Sequence, residues 1–351
     1  MIGELINRAE QNHQLKREEI VQLLSLTEPD QLEALFCAAD RVRVRFMGNQ
    51  VHLRGIIEFS NYCCRNCFYC GLRKDNHHLT RYRLSEDEII SIARHAVGDL
   101  GYRTIVLQSG EDFRYTAKTL ASIIKRIKEL GEVAVTVSVG ERSYAEYAIM
   151  REAGADRYLL KHETADPDLY RQLHPDLLYE NRLRCLQWLR ELGYQVGSGN
   201  MVGLPGQTLE TLADDILLLK ELDVEMAGIS PFVPHSHTPL GTYPGGTVEL
   251  TLKVLAVTRL LMPYTHLPAT TALGSIHPRG RELALRCGAN VIMPNVTPAA
   301  YRPLYEIYPN KICVNEEPDN CRGCLHSLIT SLGREVATDP GHSPKFVQQD
   351  K

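Results

Sequence analysis

No apolar stretch in this 351-residue sequence is long enough to cross a membrane, which takes about 20 consecutive apolar residues. There is no long basic run: 39 Lys+Arg against 43 Asp+Glu leave a formal charge of −4. Nothing in that balance points to nucleic acid as a partner. The opening residues, Met1 to Arg8, lack a basic segment leading into an apolar core, so they do not read as a secretory signal. Internal repeats and low-complexity segments are absent. With 44% hydrophobic and 23% charged residues, the composition is that of an ordinary globular protein, and the expected location is cytoplasmic.

What is present is cysteine. In a reducing compartment, clustered cysteines mean metal or redox chemistry rather than disulfides. Seven of the ten fall in two groups: Cys63, Cys64, Cys67 and Cys70, then Cys313, Cys321 and Cys324. The others, Cys37, Cys185 and Cys287, sit in apolar helical contexts and are expected to be buried. Cys63, Cys67 and Cys70 form a C-x3-C-x2-C loop with Tyr69 before the last thiol. Three thiolates on one short loop can hold three corners of a four-iron cluster and leave the fourth iron free of protein ligands. A structural zinc site completed by His77 or His78 is the alternative. Cys64 spells a second register (64, 67, 70); a slip would turn the loop, and Cys63 is the expected ligand.

Periodicity orders the chain around this loop. Residues 1–46 read as a helical extension. Strand-like runs follow at 53–59, 104–108, 133–139, 157–160, 194–198, 226–231, 266–270 and 290–293. Helical patterns alternate with them at 87–97, 118–130, 143–153, 180–192, 209–222, 250–262 and 281–287. Eight strands alternating with helices predict an α/β fold, a (βα)8 TIM barrel over 47–300, for which about 250 residues are typical. A doubly wound sheet is the other solution to the same alternation. Residues 301–351 read as a cysteine-containing tail with a polar, loosely ordered end from 339 onward.

A parallel barrel builds its active site at the C-terminal ends of its strands, and that is where the polar residues fall. The cysteine loop follows the first strand. The second ends in Gln108-Ser109-Gly110-Glu111, the third in Ser138-Val139-Gly140-Glu141, the fourth in Lys161-His162-Glu163-Thr164 and the seventh in Thr270-Thr271. The stretch 197–206 is glycine-rich, but it lacks the G-x-G-x-x-G spacing and the lysine of a phosphate-binding loop. His235 and His237, two apart on one loop, read more readily as surface residues than as a metal pair.

These motifs resemble those of the radical S-adenosylmethionine superfamily, over roughly residues 50–300. Ser60-Asn61-Tyr62-Cys63, Tyr69-Cys70-Gly71-Leu72-Arg73, Gln108 to Asp112, Tyr158 to Thr164 and Met201 to Thr208 are similar to segments of the FeFe-hydrogenase maturases, in a branch related to biotin synthase and methylornithine synthase. The Cys313-x7-Cys321-x2-Cys324 spacing resembles the second, peripheral iron–sulfur site of some maturases; a zinc knuckle completed by His326 is the other reading.

The resemblance implies a 4Fe-4S cluster on Cys63, Cys67 and Cys70, with S-adenosylmethionine chelated at the open iron. It implies reductive cleavage to methionine and a 5′-deoxyadenosyl radical. It further implies an auxiliary iron–sulfur cluster (2Fe-2S or 4Fe-4S) on Cys313, Cys321 and Cys324. Ser109, Gly110, Glu111, Thr136, Glu163, Arg182 and Met226 are the residues it points to around the cofactor. Gln108, Thr270, Thr271, Tyr305 and Tyr308 are those it points to around the substrate. The implied substrate is an iron–carbonyl–cyanide complex of cysteine, on the way to the two-iron precursor of the hydrogenase H-cluster. Implied partners are a reductant such as ferredoxin or flavodoxin and other hydrogenase maturases. A radical amino-acid mutase resembling methylornithine synthase and a non-catalytic iron–sulfur scaffold are the competing readings.

Overall fold

The computed structural model describes residues 2–347. Strand β1 (Gln50–Leu53) leads through Arg54 into β2 (Gly55–Ser60). Then follow β3 (Thr104–Ser109), β4 (Ala134–Ser138), β5 (Arg157–Leu159), β6 (Gln195–Ser198), β7 (Met201–Val202), β8 (Met226–Ala227), β9 (Ser230–Pro231), β10 (Val291–Ile292) and β11 (Glu335–Val336). Strands β2-β3-β4-β5-β6-β8 make one six-stranded sheet, parallel at every pairing. Two further staves close the ring through parallel bridges: Met226 with His266, Pro268 with Val291, and Ile56 with Asn295. The result is the expected α/β barrel with a parallel central sheet.

Three expected strands differ in detail. The run 53–59 breaks at Arg54, whose fully buried guanidinium reaches Met226 Sδ at 3.0 Å and Gly341 O at 3.2 Å inside the barrel. This lets β1 leave the ring and pair with β10 and β11. The run 226–231 divides into β8, which stays in the ring, and β9, which pairs with β7. The run 266–270 contributes only bridges.

Helices α1 (Ile2–Asn12), α2 (Arg17–Leu24) and α3 (Pro29–Met47) precede the barrel. Around it run α4 (Glu86–Gly98), α5 (Ala117–Lys128), α6 (Tyr144–Glu152), α7 (Pro167–Leu173), α8 (Tyr179–Glu191), α9 (Leu209–Glu221), α10 (Val248–Leu261), α11 (Thr271–Ile276) and α12 (Gly280–Arg286), with α13 (Pro318–Ser331) and α14 (Pro344–Val347) in the tail. Starts are set by local chemistry. Ser85 with Glu88, and Ser143 with Glu146, form capping boxes that satisfy backbone donors reciprocally at the first turns of α4 and α6. Every residue from Thr251 to Leu261 of α10 is buried, because α3 and α2 pack over the side of α10 that other barrel helices leave to solvent.

The tail end is ordered where a loose segment was expected, as far as it is described; residues 348–351 lie outside the described residues. After β11 the chain runs beneath the N-terminal ends of the strands. Pro340 O accepts from Thr104 Oγ1 at 2.8 Å and Arg157 Nη2 at 2.7 Å, and Ser343 N donates to Gln195 Oε1 at 2.9 Å. Polar side chains at the barrel floor need acceptors, and this segment supplies them. Cys185 and Cys287 are buried as expected, but Cys37 is exposed, because its side of α3 faces outward.

Candidate active site

The cysteine loop leaves the end of β2 and is fastened along its length. Ser60 Oγ donates to Asp112 Oδ2 at 2.7 Å, and Cys64 N donates to Glu111 O at 3.0 Å. Gly110 makes the approach possible: a Cβ there would stand 2.3 Å from Tyr62 O and 2.8 Å from Cys63 Cβ. On the far side, Phe68 N donates to Leu173 O at 2.9 Å. The Phe68 and Tyr69 rings pack on a small apolar cluster that includes Leu169, Leu173 and Phe232. Tyr69 Oη lies 2.8 Å from His174 Nε2, and His174 Nδ1 lies 2.8 Å from Tyr170 O. A carbonyl only accepts, so Nδ1 carries the ring proton and Nε2 accepts from the tyrosine. Arg81 donates to the carbonyls of Asn61, Leu72, Arg73 and Asn76, clamping both ends of the loop.

The three thiols fit a multi-iron cluster better than a single ion. Around one zinc, with Zn–S about 2.3 Å, tetrahedral sulfurs stand about 3.8 Å apart. Among the described residues, Cys63, Cys67 and Cys70 do not bring their sulfurs all within 4.8 Å of one another, and neither His77 nor His78 joins them in a compact ligand group. Burial pushes the Cys63 thiol up to about 11. Burial, then the neighbouring Cys63, pushes Cys70 up to about 12, and burial with Cys70 and Cys63 drives Cys67 well above its ordinary value. Such a set gives up its protons to a bound cation and not otherwise. Cys64 is exposed, whereas Cys63, Cys67 and Cys70 are half-buried.

Cys67 and Cys70 form part of the wall of a cavity of about 390 Å³ inside the C-terminal mouth of the barrel, a size that accommodates a cofactor-sized ligand. The same cavity gathers Gln108, Ser109, Glu163, Arg182, Thr270, Thr271, Tyr305 and Tyr308. Glu163 takes a φ of 69°, rare outside glycine. It pairs with Lys161 Nζ at 3.0 Å. Burial opposes its charge, but Lys161 outweighs that and holds the carboxyl below its ordinary value. Arg182 is fixed by Glu141 Oε1 at 2.7 Å and by the Lys161 carbonyl.

Four of the expected cofactor residues stand elsewhere. Gly110 backs the loop from outside the cavity lining. Glu111 turns away from it: one carboxylate oxygen pairs with Arg65 and the other accepts from Glu141 N at 3.0 Å. Thr136 and Met226 line a separate small cavity lower in the barrel, with Arg54, Arg157 and His266. Missed from sequence was the buried pair of Lys311 and Glu58 in the cavity wall, with Asn295 Nδ2 donating to the same carboxylate at 2.6 Å. Their partnership spans most of the chain, and no local pattern signals it. His237 is exposed, whereas His235 is buried, with Nε2 3.5 Å from Glu306. The glycines of 197–206 serve packing: Gly203 has φ +87°, and a Cβ there would lie 2.4 Å from Gly246 Cα. In the tail, Cys313 and Cys321 come together with Glu316, while Cys324 is exposed a turn further along α13.

A parallel barrel with an aromatic-backed three-cysteine loop at its C-terminal mouth, opening on a polar cavity, defines a radical S-adenosylmethionine enzyme. The Radical SAM superfamily model matches residues 57–219. The chain is 52% identical to the FeFe-hydrogenase maturase subunit HydE of Thermotoga maritima over 97% of both chains. The structure of methylornithine synthase (PylB) superimposes with a TM-score of 0.84 at 28% identity, over 95% of this chain and 97% of that one. The maturase HydG shares the fold, with a TM-score of 0.83 at 20% identity over 99% of this chain and 79% of that one. This protein belongs to the HydE family of FeFe-hydrogenase maturases. Membership implies a 4Fe-4S cluster and S-adenosylmethionine, which the thiol set and cavity suit.

Proposed function

We propose that this protein uses S-adenosylmethionine radical chemistry on an organometallic iron–cysteine precursor during assembly of the hydrogenase H-cluster. The observation that carries the reading is the single cavity that joins Cys67, Cys70, Glu163 and Arg182 to Thr270, Thr271, Tyr305 and Tyr308. The residues read for cofactor and those read for substrate line this one space.

Cys63, Cys67 and Cys70 hold the cluster. When bound, cluster and cofactor supply a one-electron cleavage that yields methionine and a 5′-deoxyadenosyl radical. The chain's part is placement and the exclusion of water. Ser109 lines the amino-acid end of the cofactor. Glu163, kept ionised by Lys161, accepts from its hydroxyl or ammonium donors. Arg182, locked on Glu141, presents its remaining guanidinium edge to a carboxylate. Gln108, Tyr305, Tyr308 and the Thr270-Thr271 pair bound the substrate space, which lies in the barrel mouth. Gly110 and Glu111 act one step back, by seating the cysteine loop. Residues 1–46 are an extension, 47–300 the catalytic barrel, and 301–351 a tail whose Cys313, Cys321 and Cys324 hold an auxiliary iron–sulfur site. A ferredoxin- or flavodoxin-like protein supplies the electron, and other maturases exchange the precursor. No helix among the described residues is long and apolar enough to cross a membrane.

The likeness to methylornithine synthase favours one competitor, an amino-acid mutase. Anaerobic reconstitution, followed by assay of 5′-deoxyadenosine with the iron–cysteine complex or with amino acids, separates the two. Turnover dependent on the iron complex is expected; turnover with an amino acid alone overturns the maturation reading.

A further inference from the structure

Two side chains outside the barrel mouth end in buried donors beside the tail thiols. Tyr102, in the loop between α4 and β3, is 3% exposed, and its Oη finds no hydrogen-bond partner among the described residues. Its ring packs on the base of β2, where a Cβ at Gly55 would lie 3.3 Å from Tyr102 Cδ2. Tyr102 also lines a cleft with Arg322 and His326 of α13, the first of them next in sequence to the buried Cys321. Arg302, in a short 3₁₀ turn after the barrel, is fully buried. Its Nε donates to Thr297 O, and its Nη1 donates to Cys313 O at 3.0 Å and to Glu316 O. That leaves Nη2 buried without an acceptor. Burial moves both groups from their ordinary values, and of the charges around them Cys321 acts most strongly on each. Buried donors without a partner are rare and costly in native folds. Two of them, brought to one thiol by separate elements, call for an acceptor that the chain itself does not supply.

We propose that Tyr102 and Arg302 donate hydrogen bonds to the sulfur atoms of the tail cluster and raise its reduction potential. This rests on reading Cys313, Cys321 and Cys324 as ligands of an iron–sulfur cluster. Such a cluster brings inorganic sulfides as acceptors beside the cysteine sulfurs. A single zinc, the other occupant that the spacing allows, brings none and leaves both donors as they are. Reduction places more negative charge on the sulfurs, so a donor to them stabilises the reduced cluster more than the oxidised one. Arg302 carries a full charge and acts more strongly than the neutral phenol. It also fastens the 313–316 turn, whereas the Tyr102 hydroxyl makes no other hydrogen bond, which makes that hydroxyl the clean probe.

The test is anaerobic reconstitution of the full chain with iron and sulfide, carrying alanine at 63, 67 and 70 so that the tail cluster is read alone, followed by a redox titration monitored by EPR. Tyr102→Phe is expected to lower the reduced-to-oxidised ratio at a fixed potential about 2- to 10-fold, with iron and sulfide content unchanged. For one electron that is a move to more negative potential of up to about 59 mV. Arg302→Gln is expected to move it further the same way. In the chain before reconstitution, Tyr102→Phe removes an unpartnered hydroxyl, so its urea midpoint should not fall. A purely structural hydroxyl gives the reverse pair of results: a lower midpoint without the cluster and an unchanged potential with it. An unchanged potential in Tyr102→Phe with the cluster intact therefore overturns the proposal, whatever Arg302→Gln does through its charge. A parent chain that takes up zinc but no sulfide at the tail overturns the cluster reading itself, and the role of both donors with it.

Discussion

Cys63 and Cys64 are adjacent in sequence yet face different environments. Cys63 is half-buried, and desolvation raises its thiol to about 11; Cys64 is exposed, with its amide spent on Glu111 O. Cys63→Ala is therefore expected to abolish iron binding at the loop, while Cys64→Ala keeps it; iron and sulfide counts after reconstitution check both. The reverse result would exchange the ligands. Glu163 is the second residue whose setting forecasts a role. It is held ionised by Lys161 against its own burial, so Glu163→Gln removes a charged acceptor and leaves Lys161 without its counter-charge. A charged hydrogen bond contributes about 1.5–3 kcal/mol, so the KM for S-adenosylmethionine should rise about 10- to 100-fold. An unchanged KM would put Glu163 outside the cofactor's contacts. The cysteines and Glu163 were legible because each follows an apolar run at a strand end. The contacts of Glu111 were not: a carboxylate at a strand end reads the same whatever it meets, and in the fold Glu111 meets Arg65 and the Glu141 amide.

Among the elements, the tail departs most from its sequence pattern. A polar segment with Pro340, Gly341 and Pro344 gives no periodicity to read, yet it becomes the floor of the barrel. Its carbonyls satisfy Arg54 and Arg157, two guanidinium groups that burial pushes below their ordinary range. Deleting residues 339–351 strips acceptors from both and is expected to destabilise the protein by at least ~3 kcal/mol. A urea midpoint unchanged by the deletion would contradict that assignment. The break of the first strand at Arg54 has the same origin. A long cation inside a strand run looks like a surface position until the tail supplies its acceptor. By contrast, α4 and α6 were legible almost to the residue, because their capping boxes are written in four consecutive positions.

At the scale of the whole molecule, acid stability follows from buried imidazoles. Burial, then Arg182, holds His174 down to about 4 from an ordinary 6.5; burial, then Arg54, does the same to His52. Between these values the unfolded chain takes up protons that the folded one refuses. Each group's contribution is thus fully present above pH 6.5 and is lost as pH falls toward 4, with a slope approaching about 1.4 kcal/mol per pH unit per group. Stability measured by urea unfolding should decline over that window. His174→Phe should be less stable at pH 7, through loss of the Tyr69 hydrogen bond, but should decline less steeply in acid. An equal slope would mean that His174 is not neutral in the fold. The sequence by itself determined the barrel, the three-cysteine loop and the rim on which the polar strand ends lie, because strand period, helix caps and short-range ligand spacing are local properties of the chain. Tertiary structure alone decided that Glu111 seats the loop, that Lys311 meets Glu58 and that the tail closes the floor. Each of these depends on which distant groups must share a buried charge or an unpaired donor, and that is settled only when the ring closes.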